Sequence, residues 1–359
     1  MKLLLTGGHL TPALAMIDWL KLYHPEVKLV FVGRTHSQVN QPALEKFEIA
    51  KRQIPFLILS TPKFALIPWW QLPGRWLALI VSTWQACWLL WQERPTAVLT
   101  FGGYLAVPVV LAAWLQRIPI VTHEQTRTVG LANRWIGKFA TKVGVAFEVS
   151  LKYFPAQKTR VVGNPLRSSL FDSNLKPPTW FQNPHHKPIL VITGGSQGSQ
   201  AINQCVDQII APLTQDWCVI HQRGTQAAAE PSQPGRYYAR EWLSDTELFW
   251  FWRQPTTLGV SRAGANTVTE LVVVQVPAVL IPLPFAYQDE QKLNALWLVE
   301  AGGAILLEQA QLSPQALLKA IQQLQTQQLT FRQALGQLSV PTKALEGIWQ
   351  LLQAALQAS

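Results

Sequence analysis

Twice along this chain an apolar strand runs directly into a glycine turn and then into a helical pattern. That repetition constrains the fold more than any other feature. Leu3, Leu4 and Leu5 enter the turn Thr6-Gly7-Gly8-His9, after which the apolar spacing from Pro12 to Leu20 is helical, with proline in its first turn. Lys28–Gly33 then reads as a second buried strand. The same order restarts at Ile189–Thr193, which enters Gly194-Gly195-Ser196-Gln197-Gly198-Ser199 and another helix. Strand, glycine turn, helix, strand is the opening of a doubly wound α/β unit. Two such openings predict an α/β chain of two Rossmann-like domains with parallel sheets, facing across a cleft. A length of 359 residues suits two domains. The first is expected over residues 1–163, ending near Val161-Val162-Gly163, and the second over 164–340. The three prolines in residues 175–187 mark a linker or surface loop.

Composition narrows the class. Apolar residues make up 48% and charged residues 14%, enough for large cores and too apolar for disorder. Cys87, Cys205 and Cys218 are too few and too scattered for a disulfide framework or a zinc site, and a reducing, cytosolic setting fits them best. The short apolar run before the first glycine turn is read as a strand and not as an export signal. The net charge of +10 is unevenly spread: residues 1–165 hold 18 basic and 7 acidic side chains, and residues 166–359 hold 12 and 13. One lobe is therefore expected to meet an anionic surface. The basic residues form no runs and share their half with a Trp-rich stretch, which favours phospholipid over nucleic acid.

That stretch, Phe64–Trp91, contains Trp69, Trp70, Trp76, Trp84, Trp88 and Trp91, with Arg75 as its only charge. Pro68 and Pro73 leave about 16 uninterrupted residues, short of the ~20 that a membrane span needs. Pro73–Trp91 is read as a crossover helix with one very apolar face. That face is either ordinary core or a membrane-surface patch of Trp69, Trp70, Trp76, Trp84 and Trp88, and the affinity of Trp for headgroup boundaries favours the patch.

The first glycine turn lacks the third glycine of a dinucleotide fingerprint, and Arg34 stands where an acidic residue would follow the second strand. A nicotinamide dehydrogenase is disfavoured, although N–H groups at such a turn still suit an anion or a substrate oxygen. His9 at that turn is either a helix cap or a group aimed into the cleft. The Gly194–Ser199 turn offers closely spaced donors for a diphosphate. In Ser261–Glu270, Arg262 and the helix opening at Gly264 and Ala265 suit phosphate, while Glu270 can accept the two hydroxyls of a ribose. Gln288, Asp289, Gln291 and Asn294 follow a buried strand at Ala278–Ile281, and amides of that kind suit sugar hydroxyls or a helix cap.

Taken together these segments resemble the MurG family of UDP-N-acetylglucosamine:undecaprenyl-pyrophosphoryl-muramoyl-peptide N-acetylglucosaminyltransferases. The matching pieces, in the family's order, are TGGHLTPAL (6–14), FGGYLAVP (101–108), HEQ with GLANRW (123–135), GNPLR (163–167), GGSQGS (194–199), SRAGANTVTE (261–270) and PLPFAYQDEQKLNA (282–295). The first glycine turn is shorter than the family's usual form, and Thr126 stands where the family usually has Asn.

The resemblance implies a GT-B fold, with the helix in 341–359 packing back on the first domain. It implies an inverting transfer of GlcNAc from UDP-GlcNAc to the muramoyl 4-hydroxyl of lipid I, giving lipid II. The setting is peripheral, at the cytoplasmic face of the cell membrane, with an anionic lipid surface, other cell-wall enzymes as candidate partners and no nucleic acid. No tightly bound cofactor and no metal are expected. By motif, His9 is the catalytic base. Thr6, Gly7, Gly8, Tyr104, His123, Glu124 and Asn133 lie on the acceptor side. Arg167, Ser196, Gln197, Gly198, Arg262, Gly264, Ala265, Thr267, Glu270, Asp289, Gln291 and Asn294 bind UDP-GlcNAc. The alternatives are a GT-B transferase with a different lipid or metabolite acceptor, and an inactive UDP-sugar-binding scaffold.

Overall fold

The computed structural model describes residues 1–34, 44–61, 72–195, 198–224 and 232–358. They form two units, Met1–Leu166 with Pro341–Ser359, and Arg167–Val340.

In the first unit, strands and helices alternate: β1 (Lys2–Thr6), α1 (Leu10–Tyr23), β2 (Lys28–Gly33), α2 (Leu44–Lys51), β3 (Phe56–Ile58), α3 (Leu72–Glu93), β4 (Ala97–Thr100), α4 (Ala106–Leu115), β5 (Ile120–Glu124), α5 (Leu131–Phe139), β6 (Lys142–Val145) and β7 (Thr159–Val161). All seven strands are parallel, in the order β3-β2-β1-β4-β5-β6-β7. β1 is an interior strand, with Leu4 opposite Val30 on one side and Val98 on the other. A sheet covered on both faces needs nearly continuous apolar strands. The period of two then divides β1: Leu3 and Leu5 join α1 in one core, and Leu4 joins α3 and α4 in the other.

The second unit comprises β8 (Ile189–Thr193), α6 (Gln200–Asp207), α7 (Ile210–Asp216), β9 (Cys218–Gln222), β10 (Tyr237–Arg240), α8 (Asp245–Trp252), β11 (Leu258–Ser261), α9 (Ala265–Val274), β12 (Ala278–Leu280), α10 (Glu290–Glu300), β13 (Ala304–Leu306), α11 (Pro314–Thr326) and α12 (Gln328–Gln337). Its parallel strands run β10-β9-β8-β11-β12-β13. In each sheet the order reverses beside the strand that carries the glycine turn, β1 or β8, which is where open α/β sheets place ligands.

The last helix, α13 (Ala344–Gln357), belongs to the first unit. Ile348, Leu351, Leu352 and Ala355 are buried with Leu3, Leu5 and Val121, and the Trp349 ring stacks on His24 at 4.2 Å. Leu352→Ala should therefore cost about 2–5 kcal/mol. Chemical denaturation monitored in the first unit measures this, and a loss below about 0.5 kcal/mol, the range of a surface change, would make α13 a loosely laid strap.

Candidate active site

In the first unit the site grows from two glycine turns at the C-terminal edge of the sheet, one after β1 and one after β4. The Gly8 N–H donates to Gly102 O at 2.9 Å. Gly103 has φ +81°, and a Cβ there would come within 2.6 Å of Gly8 Cα. The turns thus touch backbone to backbone, and only glycine permits the approach.

His9 follows as the N-terminal flank of α1, in an extended conformation, and its side chain makes no capping hydrogen bond. The ring is exposed. Desolvation by the protein around it disfavours the imidazolium and lowers its pKa from 6.5 to about 4. His9 is therefore a neutral, uncommitted imidazole at pH 7.

Beneath the two turns lies a polar layer out of solvent. His123 is fully buried, its Nε2–H donating to Gly163 O at 2.9 Å, and Nδ1 has no partner. Desolvation pushes its pKa down to about 4, and a charge on nearby His9 would push it further. Glu124, 3% exposed, accepts from Thr126 N (3.0 Å), Thr126 Oγ1 (2.7 Å) and Asn133 Nδ2 (2.9 Å). Burial raises its pKa. Asn133 also donates to His123 O, accepts from Thr122 Oγ1, and packs against Gly102. Of the residues expected on the acceptor side, His123, Glu124 and Asn133 are thus enclosed and act as the floor of the glycine turns. Thr6 is buried as well, its hydroxyl unpartnered. Gly7 packs on Phe101, and Tyr104 is half-buried with its hydroxyl accepting from Arg34 at 2.7 Å.

In the second unit, Ser196 and Gln197 lie outside the described residues. Around them Gly195 and Gly198 have φ +82° and +74°, and a Cβ on Gly198 would strike Arg223 O. Gln222 holds the turn from below, its Nε2 donating to Gly195 O at 3.0 Å. Asn203 fixes the Arg223 carbonyl and also accepts from buried His221, whose other nitrogen meets Tyr237 OH. Desolvation is the largest cause pushing the His221 pKa down to about 3.

Arg262 stitches the turns together. Its guanidinium donates to Ile281 O, Pro282 O, Ser199 Oγ (2.7 Å) and Gln309 Oε1 (2.7 Å), all neutral oxygens. With 9% exposure and no carboxylate among those partners, its charge is left to act on the mouth formed by the N-termini of α6 and α9. Gly264 and Ala265 open α9 without a side-chain cap, and Thr267 sits half-buried in its first turn.

Glu270, 1% exposed, is paired through both oxygens with Arg167 (Nε–Oε1 2.9 Å, NH2–Oε2 2.8 Å). Asp245 holds the third nitrogen of Arg167 at 2.5 Å. Gln288 and Asp289 both adopt the left-handed region, a strained pair that leaves the Asp289 side chain exposed at the start of α10. Gln291 accepts from Leu283 N, and Asn294 donates to Ala263 O while its Oδ1 stays buried without a partner.

Asp245, Gln222 and Gln309 were not singled out by sequence reasoning. Ser244 and Glu247 do spell a capping box that announces α8, and it forms. No local signal tells that the residue between them reaches Arg167. Among the described residues no group of three or more His, Cys, Asp or Glu could hold a metal ion.

Two parallel-strand units with alternating helices and glycine turns at the sheet edges are the architecture of the GT-B glycosyltransferases. Residues 6–145 match the family model of the glycosyltransferase family 28 N-terminal domain, and residues 189–343 that of the C-terminal domain. The chain is 39% identical over 332 residues to a protein of Vibrio parahaemolyticus, covering 90% of this chain and 88% of the relative. It is 36% identical over 323 residues to one of Alkalilimnicola ehrlichii, covering 87% and 85%. Each is named UDP-N-acetylglucosamine--N-acetylmuramyl-(pentapeptide) pyrophosphoryl-undecaprenol N-acetylglucosamine transferase. The crystal structure of Acinetobacter baumannii MurG shares the fold, with a TM-score of 0.70 at 24% identity over 98% of this chain and 99% of that one. The chain belongs to glycosyltransferase family 28, among the N-acetylglucosamine transferases of the MurG family.

The buried histidines give the fold a pH dependence of definite sign. Unfolded, each titrates near 6.5, whereas folded His123 stays neutral down to about 4. Its contribution is complete above pH 6.5 and falls by up to about 1.4 kcal/mol for each pH unit below that, until the folded value is reached. Melting temperature should drop between pH 7 and pH 5, and His123→Asn should make the drop shallower. An equally steep drop in the variant would assign the acid sensitivity elsewhere.

Proposed function

We propose that this enzyme transfers GlcNAc from UDP-GlcNAc to the 4-hydroxyl of the muramoyl sugar of lipid I, with inversion, and so makes lipid II. The relationship to transferases of that name over most of the chain carries the reading. His9 adds to it, as the one group at the first glycine turn that is open, neutral and uncommitted.

Inversion needs one in-line displacement. The imidazole of His9 takes the proton from the acceptor hydroxyl as its oxygen bonds to the anomeric carbon. The bond from that carbon to the diphosphate breaks, and its electron pair leaves with UDP. Charge growing on the diphosphate is met by the openings of α6 and α9 and by Arg262. Glu270 receives the ribose hydroxyls. Asp289, Gln291 and Asn294 border the sugar, with Gln291 and Asn294 also fixing the backbone around it. Labelled UDP-GlcNAc incubated with a lipid I analogue should yield the disaccharide. His9→Ala should lose on the order of a hundredfold or more in turnover with UDP affinity unchanged by calorimetry. Near-normal turnover in that variant would remove His9 from the role.

The same enzyme works at the cytoplasmic face of the membrane as a peripheral protein. No helix among the described residues is long and apolar enough to cross a bilayer. On α3, Trp76, Ile80, Trp84, Trp88 and Trp91 recur at helical spacing with exposures between 53% and 72%, while Leu79, Ala86 and Leu90 face the core. Trp69 and Trp70 lie outside the described residues. An exposed aromatic stripe on a basic lobe suits the headgroup region of an anionic membrane. Binding to vesicles containing phosphatidylglycerol should weaken as salt rises. Replacing Trp84 and Trp88 by Glu should cut that binding at least about tenfold, since burying one large side chain is worth about 1.5–3 kcal/mol. Transfer to a water-soluble acceptor should persist. Equal affinity for neutral vesicles would refute the electrostatic component.

A further inference from the structure

A carboxylate that receives a ribose must be an anion, because a neutral carboxyl group donates through its own O–H and no longer offers two equivalent acceptors. Glu270 sits where that requirement is hardest to meet. It is 1% exposed on α9, and burial raises its pKa. The fork of Arg167 answers this with two parallel hydrogen bonds, one to each oxygen, at 2.9 and 2.8 Å. Ionised carboxylate oxygens have about two lone pairs each, so Arg167 occupies one on each and leaves one on each for a hydroxyl.

The guanidinium is itself held from α8. Asp245 binds its NH1 at 2.5 Å, and its central carbon lies 4.5 Å from the centre of the Phe249 ring. The charges acting on Glu270 are those of Arg167 and Asp245. On the elements packed against α9, Lys292 of α10 pairs with Glu308, and Arg332 of α12 donates to Thr257 O. Asp289, Glu290 and Glu300 are the acidic residues of α10 and its flank, and Arg262 before α9 is held by Ser199, Gln309 and two carbonyls.

We propose that Arg167 is a positioning residue that keeps Glu270 ionised and aims its two free lone pairs at the ribose diol, with Asp245 and Phe249 fixing the guanidinium. This rests on the reading that Glu270 binds ribose. It differs from a direct contact between Arg167 and the diphosphate. A guanidinium acting through Glu270 affects only discrimination by the sugar hydroxyls, and it does so in a pH-dependent way. A phosphate contact affects every uridine diphosphate alike.

The test is calorimetry of UDP and 2′-deoxy-UDP binding from pH 5.5 to 9. Wild type should prefer UDP by about ten- to hundredfold, the worth of a hydrogen bond to a charged group, from pH 7 upward. In Arg167→Gln the lost cation raises the pH at which Glu270 ionises. Its preference should be small at pH 6.5 and return as pH rises, with a midpoint at least one unit above wild type. Arg167→Lys keeps the charge without the fork and should fall between; it carries the test if the Gln variant does not melt cooperatively. An affinity loss in either variant that is equal for both nucleotides and constant with pH would overturn the proposal and assign Arg167 to the diphosphate. An unchanged UDP preference in Glu270→Gln would instead overturn the ribose reading beneath it.

Discussion

The backbone contact between Gly8 and Gly103 is the constraint on which the acceptor-side geometry depends. Adjacent parallel strands β1 and β4 each end in a turn, and the turns lie closer than any side chain would allow. That approach puts the opening of α1, and with it His9, at the edge of the sheet. It also explains the polar layer below. Asn133 abuts Gly102 and ties the segment to Glu124 and His123, so groups that look chemical in the sequence support the turns. Most of these buried polar groups are hydrogen-bonded, while the Thr6 hydroxyl, His123 Nδ1 and Gln125 Oε1 are left without a partner.

The second unit solves a related problem with charge. Arg262 is surrounded by neutral oxygens, so its positive charge remains uncompensated at the mouth of two helix N-termini. Arg167 is the opposite case, shared between two carboxylates and therefore little available to an anion. Two arginines that read alike in the sequence thus occupy different electrostatic roles. Burial alone does not separate them; the identity of the partner atoms does.

Much of the architecture was legible because it is written in local spacing. Apolar runs bounded by glycine became strands of two parallel sheets, and Pro73–Trp91 became part of a long helix. The motif residues gather where their turns gather: His9 and the two glycine pairs in one unit, and Arg262, Gly264 and Glu270 in the other. The inward orientation of His123, Glu124 and Asn133 was not legible. Strand β5 carries all five of its residues buried, so a period-two pattern offers no exposed face from which to infer direction.

By itself the amino-acid sequence determined the fold class, the family and the identity of the chemical groups, since these follow from periodicity and from motifs only a few residues long. Tertiary structure decided which of those groups are free to act. The Arg167–Glu270 pair joins positions 103 apart, and such contacts arise only when the chain has folded back on itself. The Trp residues of α3 show the same division: helical spacing placed Trp76, Trp84 and Trp88 on one side of the helix, and only packing against the sheet decided that this side faces outward.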